Sequence, residues 1–155
     1  MELADILAAR SVLYFKDVSN KPQLFERLSH EASETTEIAQ TTILAAINAR
    51  EELGSTGLGN GIAIPHGKIR GLAGVTAVFA RLAEPIEFDA VDDLPVDLVM
   101  MLLAPVGAGA DHLKALSRVA RLLRTESVVE DLRTYTDPAR LHAVLTAPVE
   151  GTYAA

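Results

Sequence analysis

The run Ile64-Pro65-His66-Gly67 places an imidazole between a residue that fixes its own φ and one that frees it, after a stretch punctuated by Gly54, Gly57, Gly59 and Gly61. Backbone of this kind is costly to order but rigid once ordered, a suitable seat for a reactive side chain. Histidine there can act as a nucleophile if one ring nitrogen faces the substrate unprotonated and the other donates to a fixed acceptor, such as a backbone carbonyl. The glycines could also turn amides toward the oxygens of a phosphoryl group. A turn histidine that merely satisfies backbone groups accounts for the same residues, and local composition leaves the two accounts level.

Two further side chains could serve such chemistry. His112 follows Asp111, an expected helix N-cap, so it lies in a first helical turn where the dipole disfavours imidazolium and favours a neutral ring that donates one N–H. It would support a phosphoryl group or orient His66; pairing with Asp111 explains it equally. Arg50 stands near the end of a helix just ahead of the glycine-rich stretch, and its guanidinium offers planar, multi-donor recognition of phosphate. A surface role suits it as well. Ser55, Thr56 and Asn60 add hydroxyl and amide groups, with loop capping as their alternative use. The other histidines, His30 and His142, read as ordinary helix residues, and no pair among the four has the spacing of a local metal site.

The elements that must position these groups follow from pattern. Val12–Phe15 reads as a strand, Asp17–Asn20 as a turn and cap, and Lys21–Ala32 as a helix with Pro22 in its first turn. A second helix is expected over Thr36–Glu52, with Ile43, Leu44 and Ile47 on its apolar face and Gly54 as terminator. Ile62–Ile64 is a short extended run that ends at His66. Val75–Leu82 is a strand interrupted at Glu84-Pro85 before Ile86–Phe88. Val96–Ala104 is the strongest strand, apolar enough to be covered on both faces. Helices follow from Asp111 as cap through Arg124, over Ser127–Arg133, and from the Asp137-Pro138 cap through Leu145. The expected architecture is α/β: a single-domain sandwich of residues 1–147 with a small mixed sheet flanked by helices on both sides, followed by a frayed tail over 148–155.

Bulk properties remove several function classes. The 155 residues suit one domain, and the absence of Cys removes disulfides, thiolate nucleophiles and cysteine metal sites. A formal net charge of −7 and the lack of Trp oppose a nucleic-acid role. MELADILAAR has acidic residues where a secretory leader would carry positive charge, and no apolar run spans a bilayer, so a cytoplasmic location without direct membrane insertion is expected.

The run from Arg50 to Lys68, REELGSTGLGNGIAIPHGK, resembles the phosphorylation-site signature of the fructose/mannitol-type IIA proteins of the bacterial phosphotransferase system. Pro85–Ala90 and Gly109–Leu116 resemble family segments too, so the likeness covers nearly the whole chain. The wording Gly54-Ser55-Thr56-Gly57 before Gly59-Asn60-Gly61-Ile62-Ala63-Ile64-Pro65-His66-Gly67 is similar to the nitrogen-regulatory branch.

The resemblance implies that His66 accepts a phosphoryl group on Nε2 from a small histidine-bearing phosphocarrier protein. It implies that His112 and Arg50 stabilise that group, and that no metal or cofactor takes part. Ser55, Thr56, Asn60, Gly61, Pro65 and Gly67 become the supporting loop, and Leu58, Ile62 and Ile69 are candidates for a docking surface around His66, ordinary core being the equal alternative for each. Such a chain is a regulatory phosphocarrier, a phosphoprotein of signalling rather than a free-standing metabolic enzyme. Its targets would be of the kind of a sensor kinase or a potassium transporter. The alternatives are a sugar-transport IIA that hands its phosphoryl group to a fructose/mannitol-type IIB protein, a non-catalytic anion-binding domain, and a metal enzyme using Asp89, Asp92 or Asp93 with the two histidines.

Overall fold

The computed structural model describes residues 2–148. A single turn of helix, α1 (Leu3–Ile6), and a 3-10 turn at Ala9–Ser11 lead into strand β1 (Val12–Phe15). The Asn20 side chain then accepts the Gln23 N–H at 2.9 Å, and with Pro22 in the first turn it starts helix α2 (Lys21–Thr36). This helix runs one turn past the expected end. Thr36 closes it: its hydroxyl donates to Ala32 O at 2.7 Å and accepts the Ile38 N–H at 3.2 Å, while Glu37 takes up φ 62°. Thr36 therefore belongs to α2, and the next helix, α3 (Gln40–Glu52), begins later than its apolar periodicity suggests.

The glycine-rich stretch contains more strand than its composition predicts: β2 (Gly57–Gly59), β3 (Ile62–Ala63) and β4 (His66–Ile69). Strand β5 (Thr76–Ile86) runs straight through Glu84-Pro85, and the expected interruption is a register shift against its neighbour between Arg81 and Ile86. Strand β6 (Val96–Pro105) follows, then helices α4 (Ala110–Leu122), α5 (Glu126–Thr134) and α6 (Pro138–Thr146). Gly109, not Asp111, precedes α4. Asp111 lies inside the first turn, where a carboxylate suits the helix dipole without capping. Asp137 does cap α6, accepting the Ala139 N–H. Of the expected tail over 148–155, residues 149–155 lie outside the described part of the chain.

The sheet is mixed, in the order β1-β5-β6-β3-β2, with β4 also on β6. β6 is antiparallel to β5 and parallel to β3 and β4, and Leu98 to Ala104 are completely buried on both faces, as their unbroken apolarity requires. Alternation along β6 sorts the core into two layers. Val99, Met101 and Leu103 pack with Leu24, Leu28, Ile43 and Ile47 of α2 and α3. Leu98, Met100 and Leu102 pack with Ala115, Val119, Leu132 and Leu141 of α4 to α6. The expected sandwich, a small mixed sheet with helices on both sides, is the fold observed.

Candidate functional site

β3 and β4 lie end to end along one edge of β6 and keep one register, Ile62 opposite Leu98 and His66 opposite Leu102. Pro65 interrupts the ladder between them because it has no N–H to give, although its carbonyl still accepts the Leu102 N–H at 2.9 Å. His66 thus opens a strand rather than closing an extended run. That placement decides where its ring points. Gly67 and Ile69 face α3, where a Cβ on Gly67 would stand 3.4 Å from the Ala46 Cβ, and His66 and Lys68 take the opposite face. That face carries α4, and there the His66 and His112 rings meet edge to face, with centroids 5.7 Å apart and planes inclined by 68°.

The His66 ring is half-buried and anchored on one side only. Its Nδ1 lies 2.8 Å from Ile64 O, a carbonyl that can only accept, so Nδ1 carries the proton and the Nε2 lone pair is left for a substrate. Burial lowers the pKa below the ordinary imidazole value; the Ile64 bond opposes that shift, the Arg50 guanidinium adds to it and Glu51 counters. A neutral ring with a free Nε2 is the nucleophilic form. His112, 7 % exposed, is likewise held low, first by burial and then by the charges it would share with His66 and Lys68. Its Nε2 is buried without a hydrogen-bond partner among the described residues. Such an orphan is rare enough to require a reason.

Arg50, in the last turn of α3, donates to Gly54 O at 2.9 Å, which bends its guanidinium back over the start of the glycine-rich segment and within electrostatic reach of His66. His66 and His112 are therefore brought together from β4 and α4, and Arg50, at the end of α3, acts on His66 through its charge. The supporting residues divide. Ser55 donates to Phe88 O and accepts the Gly57 N–H, and Thr56 is buried against Glu51. Asn60 and Gly61 sit farther off, beyond the Ile62–Leu98 pair, which is itself four residues or roughly 13 Å along β6 from the His66–Leu102 pair. There the Asn60 N–H binds Asp92, and Arg133 clamps Asp97 and the Asn60 carbonyl. Gly61 needs its φ of 81°, and a Cβ there would collide with that guanidinium.

Of the candidate docking residues only Leu58 is exposed. Ile62 and Ile69 are 5 % and 1 % exposed and belong to the two cores. His142 donates to Leu7 O, the structural role expected for it. Asp92 is occupied with the Asn60 and Leu94 amides, and no cluster of three or more His, Cys, Asp or Glu side chains suited to a metal occurs among the described residues. Lys68 and Glu51 were not among the site residues read from the sequence. Lys68 follows from alternation once residues 66–69 are known to be a strand, whereas Glu51 acts across a chain reversal that no local period reveals.

Comparison with known proteins adds an independent line. Residues 5–147 match the model of a family described as phosphoenolpyruvate-dependent sugar phosphotransferase system, EIIA 2. The chain is 43 % identical over 148 residues to a nitrogen regulatory protein of Bradyrhizobium diazoefficiens, covering 96 % of this chain and 97 % of that protein. It is 35 % identical over 153 residues to a nitrogen regulatory protein of Escherichia coli K12, covering 98 % and 93 %. The crystal structure of nitrogen regulatory protein IIA-Ntr from Neisseria meningitidis superposes with a TM-score of 0.87 at 37 % identity, over 93 % of this chain and 99 % of that one.

Proposed function

This chain belongs to the EIIA 2 family of the phosphoenolpyruvate-dependent sugar phosphotransferase system, and from that premise we propose that His66 Nε2 is the atom on which it accepts a phosphoryl group. The chain is a phosphorelay component, a regulatory phosphocarrier that signals through protein contacts rather than a free-standing metabolic enzyme. Its family membership implies interaction with a small histidine-bearing phosphocarrier protein.

The observation that carries the site assignment is the hydrogen bond from Nδ1 to Ile64 O, which presents Nε2 unprotonated. In the proposed transfer the Nε2 lone pair attacks phosphorus in line with the donor imidazole. The N–P bond to the donor breaks, the donor leaves with its electron pair, and the proton stays on His66 Nδ1, hydrogen-bonded to Ile64 O. His66 becomes a cationic phosphoimidazole whose charge the same carbonyl supports. Arg50 supplies a fixed positive charge for the phosphoryl oxygens. A phosphoryl oxygen would also give the orphaned His112 Nε2 an acceptor, which repays a burial cost of about 1–3 kcal/mol. In this reading Ser55, Thr56, Pro65 and Gly67 hold the frame of the site, and Asn60 and Gly61 hold its distal corner.

The test is labelling from phosphoenolpyruvate through the cognate first enzyme and carrier. Wild type should take up one acid-labile, base-stable phosphate and His66→Ala none. Retained labelling in His66→Ala sinks the assignment. We further propose a cytoplasmic site of action and regulatory targets of the kind of a sensor kinase or a potassium transporter. Supporting this, a nitrogen regulatory protein is matched over almost its full length. A pull-down comparing phosphorylated wild type with His66→Ala should retain partners specific to one form. Rapid transfer of the label to a fructose- or mannitol-type IIB protein would instead make the chain a sugar-transport component.

A further inference from the structure

We infer that Glu51 is a positioning residue for His66, acting through Thr56 and the peptide groups of Ile64. The inference rests on the proposed role of His66. The Glu51 side chain is only 8 % exposed, and its two oxygens receive three donors. Oε1 accepts the Thr56 hydroxyl at 2.6 Å, while Oε2 accepts the Thr56 N–H at 3.0 Å and Lys21 Nζ at 2.9 Å. Lys21 is itself held over the Phe88 ring, 4.3 Å from its centroid. Thr56 is 4 % exposed, and its carbonyl accepts the Ile64 N–H at 3.0 Å. The Ile64 carbonyl then accepts His66 Nδ1–H at 2.8 Å. One unbroken series of short bonds joins the last turn of α3 to the imidazole.

Strand geometry makes that series matter. The N–H and C=O of one strand residue point to the same side, and the residue before Pro65 turns both of its groups away from β6. β6 therefore cannot hold the Ile64 peptide groups in place. Their position is set from the outside, by Thr56, and Thr56 is set by Glu51. A shift of the Ile64 carbonyl would free the ring to rotate or to move its proton to Nε2, the nitrogen that must stay bare. An ion pair kept only to tie α2 to α3 would need Lys21 alone, yet both carboxylate oxygens are spent on Thr56.

The experiment reads the His66 tautomer by ¹⁵N NMR in the unphosphorylated protein, beside the rate of phosphoryl acceptance from the carrier. Glu51→Gln and Thr56→Val should raise the share of Nε2–H tautomer and slow acceptance by about 10- to 100-fold. Thr56→Ser keeps the hydroxyl and should stay close to wild type. Folded Glu51→Gln and Thr56→Val with the wild-type tautomer ratio would overturn the inference, and so would Thr56→Ser as impaired as Thr56→Val. If Glu51→Gln does not fold, the Thr56→Ser and Thr56→Val pair decides, because valine keeps the shape of threonine. The tautomer is read without any phosphoryl donor, so a failure of the phosphocarrier reading at His66 shows separately, as absent labelling of wild type.

Discussion

His66 and His112 confront each other edge to face across the gap between β4 and α4, 5.7 Å between ring centroids, and the second ring keeps a buried nitrogen with no partner among the described residues. Two neutral imidazoles so placed suit a site that receives a multiply charged group. In the proposed transfer the first would accept it, and the second would offer a donor that costs no reorganisation. His112→Gln should therefore still be labelled at His66, but about 100-fold more slowly, the scale seen when one preorganised donor is removed from a developing anion. Single-turnover labelling with a quenched time course measures this. Complete loss of labelling with the fold intact would assign His112 a larger part.

Arg50 bonds Gly54 O and lowers the His66 pKa by its charge, after burial. Arg50→Ala should raise the His66 pKa, read by an NMR titration of the ring, and slow phosphoryl acceptance. Arg50→Lys should restore the pKa more fully than the rate, because lysine supplies the charge without the planar fork. Loss of the Gly54 bond should lower stability by about 1 kcal/mol in a denaturant melt.

Acidification should act on stability through both histidines. His66 and His112 are held below the ordinary imidazole value, mainly by burial, while in the unfolded chain they titrate near ~6.5. Between the folded and unfolded values the unfolded chain binds more protons, so stability falls as pH drops below ~6.5 and is level above it as far as these groups are concerned. Denaturation midpoints at about pH 7.5 and about pH 5.5 should differ in that direction, and His66→Gln should shrink the difference. For the same reason labelling of His66 should persist to a pH below ~6.5.

The corner at Asn60 and Gly61 should matter for stability and little for the transfer. Gly61→Ala forces a Cβ onto the Arg133 guanidinium at a φ of 81°, and should cost about 1–3 kcal/mol. Arg133→Ala opens the same clamp on Asp97 and the Asn60 carbonyl and should lower the unfolding midpoint likewise. Labelling rates at a temperature where both variants are folded should stay near wild type. A large loss of rate in either would show that this corner reaches the site.

The candidates His66, His112 and Arg50 and the layered α/β class were legible in the sequence itself. An unbroken apolar run such as Val96 to Ala104 has no stable place except inside a sheet covered on both faces, and the signature around His66 is written in adjacent residues. Local signals also set the caps at Asn20 and Asp137, since capping involves only neighbours. Tertiary structure alone decided the rest. Whether Thr36 closed one helix or opened the next depended on a turn at Glu37 that competes with good helical periodicity. Whether the glycine-rich segment was loop or strand depended on β6 offering it an edge. The direction of the His66 ring followed from its strand register, the nearness of His112 from the crossover of α4, and the reach of Glu51 from a chain reversal stabilised through Thr56. Each is a contact between segments distant in sequence, and no period of residues along one segment encodes which other segment will pack against it.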